Sequence, residues 1–195
     1  MSDIEAVASA PEAQNSIVVV DEAYVDFSTK GSAISLIAKY PNVVVLQTLS
    51  KAFGLAAIRC GFCLGSPDVI QLMNNVKAPY NVNALTSRTA MEAVEKMESL
   101  QTNIQSVLSE REKVATALSA LEYVTKVYPS DSNFLLFRLQ KNALKVYKQM
   151  ADNGVVTRFR GTELHCEECI RVTVGTPEEN KAFLEALEKT YRELE

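Results

Sequence analysis

Apolar residues in the early part of the chain fall in unbroken runs rather than in alternation. Ile17 to Val20 is β-branched throughout and ends abruptly at Asp21-Glu22; Val43 to Gln47 is expected as a second buried strand and Ile58 to Leu64 as a third. Runs of this kind predict strands covered on both faces, as in a parallel sheet. Lys30 to Tyr40 predicts a helix stopped before Pro41, and residues 3–14 a short, weak helix. Strand, helix, strand in that order predicts an α/β layer. From about Ala84 to Leu121 the chain lacks both Gly and Pro. There Ala90, Val94, Met97, Ile104, Val107 and Leu108 keep a period of roughly 3.6, which predicts one nearly continuous helix. The pattern then gives strands at Asn133–Leu139, Val155–Phe159 and Ile170–Val174, with helices at Asn142–Asp152 and Pro177–Leu194. Gly154 supplies a helix stop. Thr176-Pro177-Glu178-Glu179 supplies a helix start, with proline in the first turn and acids at the positive end of the dipole. This later part predicts a small α+β unit.

Composition narrows the classes. Of 195 residues, 47% are hydrophobic and 23% charged, so a packed core is expected rather than disorder. Twenty basic against 24 acidic side chains give a net charge of −4, which argues against a general nucleic-acid or anionic-membrane binder. The longest apolar stretch, Ala52 to Gly65, is interrupted by Arg59, and no run reaches the ~20 residues of a membrane span. The start, Met1-Ser2-Asp3-Ile4-Glu5, is acidic where a signal or transit peptide is basic. The expected location is therefore cytoplasmic, with the four cysteines reduced.

In open α/β sheets, ligands gather beyond the carboxyl ends of the strands. Asp21 and Lys51 both stand just past such ends. An amine attacks an aldehyde only when deprotonated, and Ala52-Phe53-Gly54 gives Lys51 an apolar setting that permits this. Arg59 can grip a phosphate in a bidentate fashion, with the hydroxyls of Thr48 and Ser50 adding donors. A carboxylate leaving a buried strand needs a partner; a protonated ring nitrogen suits Asp21, and Tyr24 can reach the same ring. An amine, an acid, a phenol and a phosphate-binding arginine are the set that holds pyridoxal phosphate and uses it as an electron sink.

Four segments carry a family resemblance: Val18-Val19-Val20-Asp21-Glu22-Ala23-Tyr24-Val25-Asp26-Phe27, Thr48-Leu49-Ser50-Lys51-Ala52-Phe53-Gly54-Leu55-Ala56, Ile58-Arg59-Cys60-Gly61 and Cys169-Ile170-Arg171-Val172-Thr173-Val174-Gly175-Thr176. Through nearly its whole length the chain resembles fold-type I, class II aminotransferases that depend on pyridoxal 5'-phosphate, and within them the branch serving histidine biosynthesis. The resemblance implies that Lys51 is the Schiff-base lysine and proton shuttle. It implies that Asp21 partners the pyridinium, that Tyr24 donates to the ring oxygen, and that Thr48, Ser50 and Arg59 hold the cofactor phosphate. It implies small-molecule partners, an amino acid (glutamate) and a phosphorylated keto compound (imidazole-acetol phosphate), and a homodimer in the full-length form. Residues 1–90 would be the C-terminal portion of the large cofactor-binding domain, the remainder of a mostly parallel sheet. Residues 91–195 would be a linking helix and a small C-terminal domain. Family members carry about as much chain again before the Asp21 segment. The chain is thus expected to be a C-terminal half, poorly soluble or leaning on a partner, and to bind the cofactor weakly. Sibling chemistries remain alongside: an aromatic aminotransferase, a decarboxylase of phosphorylated amino acids, or a non-catalytic remnant.

Two arginines extend the expected site. If Val155–Phe159 and Ile170–Val174 form an antiparallel hairpin with Val155 opposite Val174, Arg158 faces Arg171. Opposed like charges are unfavourable, and an anion between them relieves the site. The resemblance likewise assigns Arg158 and Arg171 to a substrate phosphate or carboxylate, with Arg160 a weaker candidate on the same face. Tyr80, in the polar loop before the long helix, and Asn133 have no assigned role. Cys60-x-x-Cys63 and Cys166-x-x-Cys169, with His165 alongside, match a zinc spacing. Zinc is set aside because Cys60 and Cys63 fall within an expected strand, on opposite faces.

Overall fold

A computed structural model describes residues 2–13 and 15–194; the expected end of the first helix at Gln14 lies outside the described residues. The chain divides after Gln101 into two compact units, and the expected boundary at 90/91 falls inside a helix of the first.

In the first unit, α1 (Ser2–Ser9) precedes a three-stranded sheet of β1 (Val18–Asp21), β2 (Val43–Thr48) and β3 (Gly61–Leu64), in that order. β1 and β2 are parallel, with Val18 opposite Val43 and Asp21 opposite Leu46. β3 returns antiparallel, with Thr48 opposite Gly61. Only the central strand is covered on both faces: Val43, Val44 and Val45 are all buried. The expectation of a doubly buried β1 is corrected. Val19 is 56% exposed, so among the described residues its face of β1 is open, and β1 is also an edge strand there. The core here is small: Ala8, Ala33, Leu36, Val43 and Val45, with Ile4, Val18, Val20, Ile37 and Tyr40 packed against it.

The helix expected over Lys30–Tyr40 is a single 3-10 turn, Ala33–Leu36. Gly31 adopts a left-handed φ of 75°, and the Ser32 hydroxyl and Ala33 amide both bond to the Glu22 carboxylate. Those tertiary bonds outweigh local helix propensity. The strand expected from Ile58 begins only at Gly61, since Ala56–Ile58 forms a 3-10 turn and Arg59 has φ 53°. The pattern also passes over α2 (Pro67–Val76). The long helix is two, α3 (Ala84–Val94) and α4 (Met97–Ser119). Lys96 bonds back three residues to Ala93, not four, and that tightened turn breaks the α-helical ladder without any Gly or Pro. α4 carries the chain into the second unit.

There β4 (Val124–Val127), β5 (Phe134–Leu139), β6 (Arg158–Phe159) and β7 (Cys169–Thr173) form a sheet in the order β4-β5-β7-β6, antiparallel throughout. The helices α5 (Ala143–Asp152) and α6 (Pro177–Glu193) complete the unit. β5 alternates as a one-sided strand should, burying Leu135, Phe137 and Leu139. These join Val114 and Leu118 of α4, Val146 and Met150 of α5, Ile170 and Val172 of β7, and Phe183, Leu187 and Tyr191 of α6 in one core. The Thr176 hydroxyl and Glu179 carboxylate close a capping box on α6, the expected start. β6 is shorter than the expected Val155–Phe159, because the Val155 amide bonds to the Met150 carbonyl at the end of α5. The apolar pattern gives no sign of β4.

Candidate functional site

Because β1 and β2 run parallel, their carboxyl ends share one sheet edge. Asp21 closes β1, and its Oδ1 accepts the Ala23 amide at 3.0 Å, a turn that aspartate makes readily. Asp21 is exposed, not buried as its strand suggests. The buried acid is its neighbour, Glu22. The Glu22 amide donates to the Leu46 carbonyl at 2.8 Å. Its carboxylate accepts from the Ser32 hydroxyl (2.6 Å), the Ala33 amide (2.5 Å) and the Gln47 side-chain amide (2.9 Å). Four bonds thus fix the turn after β1 to the following loop and to β2, and sequence reasoning missed the residue that makes them. Adjacent acids after an apolar run give no sign of which one turns inward.

The end of β2 is equally fastened. Thr48 Oγ1 lies 2.9 Å from Ser50 Oγ and 3.2 Å from the Cys60 carbonyl, and accepts the Ser50 amide at 3.1 Å. The Leu49 amide donates to the same Cys60 carbonyl. Lys51 opens a tight turn closed by the Gly54 amide on the Lys51 carbonyl (2.9 Å), with Gly54 at φ 68°. The Lys51 ammonium stands 5.1 Å from the centroid of the Tyr24 ring, within cation–π range. The expected apolar enclosure of Lys51 is not formed, since Lys51 is exposed and Ala52 and Phe53 are only half-buried.

Arg59 reaches the same edge from the start of β3. Its left-handed backbone is uncommon for a non-glycine residue and concentrates at functional sites. Its Nη1 donates to the Ala56 carbonyl at 3.0 Å. Two residues on, a Cβ on Gly61 would stand 2.9 Å from the Gln47 carbonyl, so only glycine permits β3 to pair this closely beside Thr48. Asp21, Tyr24, Thr48, Ser50, Lys51 and Arg59 therefore gather at one end of one sheet, around turns held by backbone bonds.

Arg158 and Arg171 belong to the second unit and form a pair of their own. They sit directly opposite in the β6–β7 ladder, in the expected register. Arg158 Nη1 donates to the Thr157 carbonyl at 3.1 Å. The Arg171 guanidinium stands 4.8 Å over the Phe134 ring, and its Nε is buried without a hydrogen-bond partner among the described residues. Arg160 is engaged by Glu163 at 2.5 Å. Tyr80 is 97% exposed, and the Asn133 carbonyl accepts the Val174 amide. Cys60 precedes β3 rather than lying within it, so the expectation that both cysteines of that pair share one strand is corrected. Among the described residues no three His, Cys, Asp or Glu side chains are grouped to hold a metal, and no helix is long and apolar enough to cross a membrane.

Comparison with known proteins adds a second line. The family model "Aminotransferase class I and II" matches residues 1–187. A histidinol-phosphate aminotransferase of Flavobacterium johnsoniae is 44% identical over 171 residues, covering 88% of this chain and 49% of that protein. The chain spans about half the length of the curated relatives it matches. The crystal structure of the histidinol-phosphate aminotransferase from Clostridium acetobutylicum aligns over 98% of this chain and 59% of that one, with TM-score 0.91 at 19% identity. That of L-threonine-O-3-phosphate decarboxylase from Porphyromonas gingivalis aligns over the same shares with TM-score 0.86 at 25% identity.

Proposed function

The chain belongs to the class I and II aminotransferases, and on that premise we propose that it is the lysine-bearing part of a pyridoxal-phosphate enzyme that moves an amino group between glutamate and imidazole-acetol phosphate. The family depends on that cofactor. The observation that carries the reading is the Lys51 amine over Tyr24, at the sheet edge that also holds Asp21, Thr48 and Arg59. Curated relatives above 40% identity bear the histidinol-phosphate aminotransferase name, which points to the substrate.

The residues fit the cofactor by their donor chemistry. Arg59 and the hydroxyls of Thr48 and Ser50 offer a cation and donors to a phosphate dianion. The Asp21 carboxylate, bonded to Ala23 through Oδ1, would partner a protonated ring nitrogen, and the Tyr24 hydroxyl would serve the ring oxygen. When bound, pyridoxal phosphate supplies an electron-withdrawing ring that stabilises negative charge on the substrate α-carbon. Lys51 Nζ takes the α-proton and returns it on the other side of the exchange. Arg158 and Arg171 bind the substrate's anionic group; the unpartnered Arg171 Nε supports this, since a buried donor without a partner costs about 1–3 kcal/mol.

The test is amino transfer by the whole protein. Glutamate and imidazole-acetol phosphate should yield 2-oxoglutarate, Lys51→Ala should lower kcat by at least about 10³-fold, and Arg171→Ala should raise KM for the phosphorylated substrate. No transfer by the wild type, or an active Lys51→Ala, would refute the reading. The second reading is decarboxylation of a phosphorylated amino acid, favoured by the likeness to the Porphyromonas gingivalis enzyme. Carbon dioxide released from O-phosphothreonine without 2-oxoglutarate would select it.

A further inference from the structure

The chain carries the spacing Cys-x-x-Cys twice, and the fold treats the two copies differently. Cys60 enters β3 and Cys63 lies within it. Three extended steps separate their Cα atoms by about 10 Å, beyond the ~7 Å limit for a disulfide. Cys63 Sγ instead contacts Met73 Sδ at 3.4 Å.

Cys166 to Cys169 is a turn. The Cys169 amide donates to the Cys166 carbonyl at 3.0 Å, which holds the two Cα atoms within about 7 Å, inside the disulfide range. Three further anchors fix it. The Glu168 carboxylate accepts the Ala143 amide at 2.6 Å, supplying the cap that Asn142 does not give to α5. The Glu168 carbonyl accepts the Leu139 amide at 2.9 Å. Arg138 Nη2 donates to the His165 carbonyl at 2.7 Å. Glu168 adopts φ 57°, the third position of a turn that favours such an angle. Cys169 is fully buried opposite Arg138 in the β5–β7 ladder, whereas Cys166 is half-buried. Burial pushes the Cys166 thiol up, and the Cys169 sulfur, Glu163 and Glu167 push it the same way, so the two sulfurs lie within each other's field.

We propose that Cys166 and Cys169 are a reversible disulfide pair that exchanges with small-molecule disulfides such as oxidised glutathione. The accessible Cys166 thiolate attacks one sulfur of the oxidised glutathione, and the first glutathione leaves as a thiolate that takes up the proton Cys166 gave up. Cys169 then loses its proton and attacks the Cys166 sulfur, closing the turn and releasing the second glutathione. The protein is oxidised by two electrons and the glutathione disulfide is reduced to two thiols. The upward push on Cys166, which Arg138 opposes, keeps its thiolate fraction low near neutral pH, so the first step quickens as pH rises. This site is independent of the proposed amino transfer.

The test is oxidation of the folded protein with excess oxidised glutathione, alkylation of the remaining thiols and peptide mapping. Free thiols should fall from four to two. The peptide holding Cys166 and Cys169 should be lighter than its reduced form by two hydrogens, and Cys60 and Cys63 should not be joined. In denaturant the preference between the two copies should vanish. Cys169→Ser should stop the reaction at a lasting glutathione adduct on Cys166. Unoxidised Cys166 and Cys169 in the folded protein, a wild-type adduct that never resolves, or a Cys60–Cys63 bridge in equal yield would overturn the proposal.

Discussion

The two units bury their strands to different depths. In the second, β5 hides every alternate side chain and the core runs from α4 through α5 to α6. Among the described residues, its large exposed apolar side chains are Leu144, Val156 and Leu164. In the first, β1 leaves Val19 in solvent, and Phe62, Leu72, Val76, Leu85, Met91 and Val94 are exposed as well. Yet the first unit carries the lysine, the aspartate and the set proposed to bind phosphate. Its site is held less by a core than by polar side-chain bonds: Glu22 to three donors and Thr48 to the Cys60 carbonyl, with Gly61 leaving room for β3 beside the Gln47 carbonyl. A site needs its residues fixed, and side-chain hydrogen bonds can do that where apolar packing is thin.

The contrast can be broken by substitution. The largest effect is expected in the second core: Phe137→Ala, which also loses the edge contact with Phe183, should cost about 3–5 kcal/mol in denaturant unfolding. Next, Glu22→Ala should cost about 1–3 kcal/mol by stranding its donors, and should raise amide exchange at Ala33 while leaving second-unit amides protected. Equal deprotection of both units would show that they do not fold as separately as described. Alkaline pH sharpens the difference by selecting the second unit. Tyr123, stacked on Tyr191 at 3.9 Å, is pushed by burial up to about 12. Between its ordinary value near 10 and that point, the unfolded chain loses the proton and the folded one keeps it. Stability of the second unit should therefore fall as pH rises through this window, and Tyr123→Phe should flatten the fall. The smallest change in stability is expected for Val19→Lys, within about 0.5 kcal/mol. A charge on the exposed strand should nonetheless reduce self-association, measured by light scattering. Unchanged association would mean that the apolar face of β1 is not what drives it.

Legibility in the sequence follows the same division. That Asp21, Thr48, Ser50 and Lys51 fall at one end of the sheet is readable because the apolar runs stop there; Arg59, inside the expected strand Ile58–Leu64, comes to that end through the 3-10 turn before β3, and the Arg158–Arg171 register follows from the expected hairpin. Glu22 is not readable, because two adjacent acids look alike until the chain turns one inward. The helix expected over Lys30–Tyr40 fails for the same reason: its residues answer to Glu22, which is remote in sequence. α2 carries a usable signal, Ser66-Pro67-Asp68 at its start, that periodicity alone does not reveal. The break between α3 and α4 has none, since a single tightened turn at Lys96 leaves no mark in residue type.

The central claim is that the Lys51 amine condenses with pyridoxal phosphate. The direct measurement is incubation of the protein with pyridoxal phosphate, reduction with borohydride and mapping of the stable adduct. The account predicts a phosphopyridoxyl label on Lys51, absent in Lys51→Ala and weakened in Arg59→Ala. A label spread over surface lysines, or its persistence in Lys51→Ala at unchanged yield, would contradict it.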